Sequence, residues 1–181
     1  VINAVDNLTG SGALISVRVD FTDQRGTTET LTSASVGPVA NVNDAPTGAP
    51  SISGTPTEDQ TLTAVVASIA DADGLGAFSV QWLRSGVAIG GATASTYTLG
   101  DADVGANISV QVSWTDGNGM AESLTSAAVG PVANVNDAPS GAPTISGTVT
   151  EDQTLTAVTS SLADNDGLGA FGYQWLRGGV A

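Results

Sequence analysis

The chain has 181 residues, with four arginines, no lysine, no histidine, no cysteine and 18 acidic residues, for a formal charge of −14. A surface of that sign repels phosphate backbones and anionic lipid, which argues against nucleic-acid or membrane-surface partners and in favour of cations. The missing residue types remove a disulfide framework, a thiolate or imidazole metal site, a Ser-His-Asp or Cys-His arrangement and a Lys–Asn isopeptide cross-link, and no apolar run approaches the roughly 20 residues that span a bilayer.

The chain starts at Val1 without a signal-peptide pattern and reads as an internal segment of a longer protein. It is rich in Gly, Ala, Ser, Thr and Val and has no helical apolar period. Short alternating runs between Gly/Asp/Asn clusters predict an all-β fold of sandwich type. In the first part, Ile15, Val17, Val19 and Phe21 alternate with Ser16, Arg18 and Asp20, residues 23–26 turn, and Glu29–Val36 returns as a hairpin partner. Strands are then predicted near Ser51–Gly54, at Thr61–Ser68, Phe78–Arg84, Val87–Ile89, Ser95–Leu99, Asn107–Thr115 and Ala121–Val129. The sixth of these is the clearest, with Ile108, Val110, Val112 and Trp114 on one face and Ser109, Gln111 and Ser113 on the other.

The pattern repeats. Asn41-Val42-Asn43-Asp44-Ala45-Pro46 returns unchanged as Asn134 to Pro139, and a shift of 93 residues makes 43 of 53 positions identical between Val36–Ala88 and Val129–Ala181. The same shift lays ISVRVDF on ISVQVSW. A fixed long period of this kind marks a tandem array, and the Asn/Asp/Pro motif suits a short, semi-rigid link because proline fixes φ while Asn and Asp bond local backbone. The expected organisation is the C-terminal half of one repeat (1–43), a complete repeat (44–136) and the N-terminal half of the next (137–181), in which the first three strands of the complete repeat are expected to recur, the third near residues 171–177.

Gln81-Trp82-Leu83-Arg84, Thr96-Tyr97-Thr98-Leu99 and the Asp101-Ala102-Asp103-Val104-Gly105 corner, together with Thr57-Glu58-Asp59-Gln60-Thr61-Leu62, resemble bacterial immunoglobulin-like domains of the kind repeated in large RTX-type surface adhesins. That resemblance implies tandem immunoglobulin-like sandwiches, an extracellular or cell-surface bacterial location, and a role as a structural spacer in adhesion or biofilm formation. A filament or surface-layer subunit assembled head to tail from half-domains, and a carbohydrate-binding module, are the alternatives. No Gly-Gly-x-Gly-x-Asp calcium-roll repeat occurs here. Trp82, Trp114 and Trp175 sit at core-like positions.

The linker also resembles that of cadherins, whose domains are joined by Ca²⁺, and this resemblance implies two sets of metal ligands. One is Asn43, Asp44, Asp71, Asp73 and Asp116; the other is Glu58, Asp59, Asp101, Asp103, Asn134, Asn136 and Asp137 with Asp164 and Asp166. Carboxylates and amides suit Ca²⁺, which takes six to eight hard oxygens in irregular geometry, whereas Zn²⁺ prefers the absent His and Cys. The linker departs from the cadherin pattern by beginning with Asn41 and lacking the last Asn. In the first repeat, Leu8 and Gly10 stand where Asp101 and Asp103 stand in the second, with Asp6 a substitute only if the loop is shorter. The same acids equally suit turns in which Asp caps backbone amides. Asp pairs flanked by Gly read as solvated rather than as a glycosidase pair, so no catalytic residue and no enzyme activity is expected.

Overall fold

The computed structural model describes residues 12–180. Apart from one 3-10 turn at Asp101–Asp103, every regular element among the described residues is a β-strand, as the short alternating runs require. The strands fall in two compact units. Among the described residues, one comprises 12–48, Ser68–Phe78 and Ser113–Ser123; the other comprises Ala49–Ala67, Ser79–Val112 and 124–180.

In the first unit, β1 (Arg18–Thr22) and β2 (Thr28–Thr32) form the expected antiparallel hairpin, extended by a bridge between Ile15 and Val36. Asp23 makes the turn: its Oδ1 accepts the amides of Arg25 and Thr27, both at 2.8 Å. The hairpin buries neither face, and Val17, Val19 and Phe21 are 55%, 52% and 41% exposed. Elsewhere in this unit Thr47 bridges Ala70, and Phe78 meets Trp114 edge to face at 5.4 Å between ring centroids. Gly48 is required there: its φ is +80°, and a Cβ would stand 2.0 Å from the Ser68 carbonyl oxygen.

The second unit holds the core. β3 (Ser51–Ser53), β4 (Thr61–Val65) and β7 (Thr96–Thr98) form one sheet in that order. A four-stranded sheet runs β6 (Val87–Ala88), β5 (Ser79–Arg84), β8 (Ile108–Thr115), β9 (Ala121–Thr125). Leu62, Trp82, Leu99, Ile108, Val110 and Val132 make a buried cluster, with Ile52, Val80, Ile89 and Tyr97 packed on it. Trp82 stacks on Tyr97 at 5.8 Å and its indole N–H donates to the Ala94 carbonyl at 2.9 Å, so this large side chain is buried without a stranded donor. In β8, Ile108, Val110, Val112 and Trp114 are all buried as the alternation predicts, while on the polar face Gln111 is exposed and Ser109 is buried as well.

Residues 137–180 depart from expectation. β10 (Thr144–Ser146) and β11 (Thr156–Val158) pair as β3 and β4 do, but the third predicted strand does not form. β5 lies next to β8 in its sheet, and no counterpart of β8 exists among residues 137–180, so residues 172–177 have no ladder to join. Trp175 is accordingly 48% exposed, whereas Trp82, in the same Gln-Trp-Leu-Arg sequence, is 0% exposed.

Candidate functional site

Two acidic clusters stand out, one in each unit. In the second unit Glu58, Asp101 and Asp137 converge, each offering a carboxylate oxygen within 4.8 Å of the others. Among the described residues this is the one group of three or more carboxylates so placed. The chain brings them together from three places. Glu58 precedes β4 in a turn whose next residue, Asp59, takes φ +64°. Asp101 opens the 3-10 turn after β7, and Asp137 lies in the Asn/Asp/Pro motif.

Glu58 is the anchor. It is 2% exposed, its own amide donates to the Ala133 carbonyl at 2.9 Å, and its Oε2 accepts the Val135 amide at 3.0 Å. The Val135 amide favours the ionised carboxylate, but hydrogen bonding to Asp101, burial, and the charges of Asp101 and Asp137 outweigh it, so Glu58 is held above the ordinary glutamate range. Asp137 is raised too, first by burial and then by the charges of Asp101, Asp166 and Asp59, with a hydrogen bond from Asn165 opposing. Two acids that resist ionisation side by side are a site short of positive charge.

The remaining residues of the predicted second set divide. Asp166 Oδ2 accepts the Asp137 amide at 2.8 Å, Asp164 Oδ1 accepts the Asp166 amide at 3.0 Å, and the Asn136 side chain donates to the Asp137 carbonyl at 2.9 Å. Asp59 is close enough for its charge to act on Asp137. Asn134 is exposed. Asp103 is turned away from the cluster. It is 1% exposed; its Oδ1 accepts Arg84 Nε at 2.7 Å and its Oδ2 accepts the Tyr97 hydroxyl at 2.9 Å and the Gly100 amide at 3.0 Å. Both oxygens are committed to closing the corner between β7 and β8. Asp103 is therefore corrected from ligand to structural counter-ion of Arg84, and burial with the Asp103 contact pushes the Tyr97 hydroxyl up.

In the first unit the predicted set gathers around Asp73. Its Oδ2 accepts the Asp44 amide at 2.7 Å, its Oδ1 accepts the Asn118 side chain at 2.9 Å, and its amide donates to Asp71 Oδ1 at 2.9 Å. Asp116 Oδ1 takes the amides of Asn118 and Met120, at 2.9 and 2.8 Å. Asp71 and Asp116 are thus turn formers with one oxygen each. Their other oxygens, Asp71 Oδ2 and Asp116 Oδ2, are buried with no hydrogen-bond partner. Asn43 instead donates to Glu122 at 2.8 Å. The proposed substitute Asp6, with Leu8 and Gly10, lies outside the described residues.

Sequence reasoning missed Glu122, Asn118, Asn165 and the Arg84–Tyr97–Asp103 contact. Asn118 between two glycines and Asn165 between two aspartates lie in turn sequences and were legible as amide donors, whereas Glu122 is an ordinary strand position with no local signal.

No protein-family model, no curated protein and no solved structure matches this chain. The site therefore has to be read from its own chemistry. All its donors are oxygen, one carboxylate is buried, and Glu58 and Asp137 are both raised by burial and by the charge of Asp101. That set fits a hard divalent cation and offers nothing to a soft one.

Proposed function

We propose that this chain belongs to a tandem array of immunoglobulin-like β-sandwich repeats, with a period of 93 residues, that serves as the spacer of an extracellular bacterial adhesin stiffened by Ca²⁺ at the links between repeats. The observation that carries the reading is the convergence of Glu58, Asp101 and Asp137 on the Asn/Asp/Pro link, with Glu58 holding the Val135 amide of that link. A cation there would neutralise three carboxylates that otherwise repel, and would tie the turn before β4 and the corner after β7 to the linker. Glu58, Asp101 and Asp137 would hold it, with Asp59 and Asp166 beside them. In the first unit, Asp71 Oδ2 and Asp116 Oδ2 are the free buried oxygens a second cation would satisfy.

The role is mechanical rather than catalytic, and the partners are adjoining repeats. The test is calcium titration of the chain, with thermal melts and small-angle scattering in calcium and then in chelator. A higher melting temperature and a stiffer, longer particle in calcium are expected. Identical melts and scattering would leave the acids as turn formers only and overturn the reading.

A further inference from the structure

The turn at Asp23–Gly26 and the turn at Asp116–Gly119 are one structure built twice, 93 residues apart. In each, the aspartate Oδ1 accepts two amides: those of Arg25 and Thr27, both at 2.8 Å, and those of Asn118 and Met120, at 2.9 and 2.8 Å. The aspartate amide donates to the carbonyl of Thr27 or Met120 at 2.8 Å, and the glycine amide returns to the aspartate carbonyl at 3.1 or 3.2 Å. Gly26 and Gly119 close the two turns at φ +87° and +93°. Arg25 and Asn118 therefore occupy the same position of the same turn. The backbone accepts either residue, and the side chains differ by a full positive charge.

Asn118 faces the acids of the first unit. Its side-chain amide donates to Asp73 Oδ1 at 2.9 Å, and the Gly117 amide donates to the Asp73 carbonyl at 3.0 Å, so the turn lies against the loop that carries Asp71 and Asp73. Asp73 Oδ2 in turn holds the Asp44 amide of the Asn/Asp/Pro link at 2.7 Å. Residues 68–78 and 113–123 contain Asp71, Asp73, Asp116 and Glu122 and no basic residue. Asp116 is 6% exposed, and its Oδ2, like Asp71 Oδ2, is buried without a partner. A neutral amide occupies one lone pair of Asp73 and removes no charge. A guanidinium rooted at the same backbone position brings a charge that no accessible pH removes and a donor fork that matches carboxylates.

We propose that residue 118 decides whether this acid cluster depends on a cation from solution: with asparagine it does, and with the arginine that the same turn carries at residue 25 a repeat supplies the positive charge itself. Resting on the cation reading given under Proposed function, this makes calcium dependence a property of the individual repeat and not of the whole array. A link beside an arginine-bearing turn keeps its charge balance when calcium falls. A link beside an asparagine-bearing turn loses it, so an array of mixed repeats softens at chosen links only.

The test is Asn118→Arg in the full chain, with Asn118→Gln as the neutral control. The position is exposed and the turn at Arg25 shows that the backbone tolerates the change. In chelator, Asn118→Arg is expected to melt about 1–4 °C above the control, and high salt or added Asp73→Asn should remove that gain. The calcium response is then read in a Glu58→Gln background, which leaves the first-unit acids as the responding group; there Asn118→Arg should shrink the rise in melting temperature that calcium produces. No gain in chelator, a gain that survives Asp73→Asn, a Glu58→Gln chain that no longer responds to calcium, or a response that Asn118→Arg leaves undiminished overturns the proposal. A wild-type chain indifferent to calcium fails the cation reading itself, and the chelator comparison then decides the charge role of residue 118 on its own.

Discussion

Gln81-Trp82-Leu83-Arg84 and Gln174-Trp175-Leu176-Arg177 are the same four residues in two environments. In the first, Trp82 is at the centre of the core and Arg84 is paired with Asp103; in the second, Trp175 is half exposed and Leu176 is 60% exposed. The turn that precedes both is the same. Asp73 and Asp166 each accept an amide twenty-nine residues before them, and Gly48 and Gly141 each meet a backbone oxygen at 2.0 Å from a hypothetical Cβ. Local chemistry therefore repeats faithfully, while strand formation and burial depend on partners that come from elsewhere in the chain. Strand propensity is in large part a statement about those partners.

The largest test of that contrast is paired truncation of the two tryptophans. Trp82→Ala is expected to destabilise by about 3–5 kcal/mol, because it empties the centre of a closed core. Trp175→Ala is expected to change the stability of the monomeric chain by no more than about 0.5 kcal/mol. Urea melts read both, and comparable losses would show that the tail packs like the central region.

A smaller effect is expected at the ion pair. Asp103→Ala strands a partly buried arginine, with an expected cost of about 3 kcal/mol, whereas Arg177→Ala removes an exposed cation and should cost about 0–0.5 kcal/mol. Thermal unfolding of the two variants separates them. Equal costs would mean that Asp103 supports the corner only through its backbone.

The cation site gives the next contrast. At a hundredfold excess of calcium over its Kd the chain should gain about 2.7 kcal/mol by mass action. Glu58→Gln should abolish most of that gain, and Glu151→Gln should leave it, since residues 137–180 contain no counterpart of Asp101. Melting in calcium against chelator decides this, and an unaltered response in Glu58→Gln would rule out the Glu58 cluster.

The smallest expected effect is on pH dependence without divalent cation. Glu58 and Asp137 have folded-state values raised above the unfolded ones, so the folded state holds protons that the unfolded state has already released. The stability they contribute is fully present below the unfolded carboxylate values, around pH 4, and is lost as pH rises through their raised values. Melting temperature in chelator should therefore fall between mildly acidic and neutral pH, and calcium should flatten that fall by replacing the proton. A chelator profile that rises over the same interval would contradict the arrangement of these two acids.

Much of the fold was legible because it rests on local signals. The period-2 pattern of Ile108–Trp114 and the turn residues Asp23 and Asp116 fixed β8 and two turns to within a residue or so. The strand predicted near residues 171–177 failed because its sequence is that of a strand but its ladder is not local. The candidate site was legible in composition and less so in assignment. That Glu58, Asp101 and Asp137 would meet followed from the resemblance of the linker to that of cadherins, but Asp101 and Asp103 look interchangeable in a one-dimensional reading. Only the packing of β5 against the corner decides that Asp103 turns inward to Arg84 while Asp101 faces the linker.

The exit of the chain from the core has a consequence for tension. Val132 and Ala133 are held on both sides, by parallel bridges to Val104 and Thr57 and by backbone bonds of 2.9 Å with Gly105, Ala106, Pro56 and Glu58. A force transmitted along the linker therefore loads bonds to two separate segments at once instead of peeling one strand from an edge. Rupture would require both sides of this clamp to yield together. Drawing residue 135 away would first break the Glu58–Val135 bond, so yielding would begin where the three carboxylates meet.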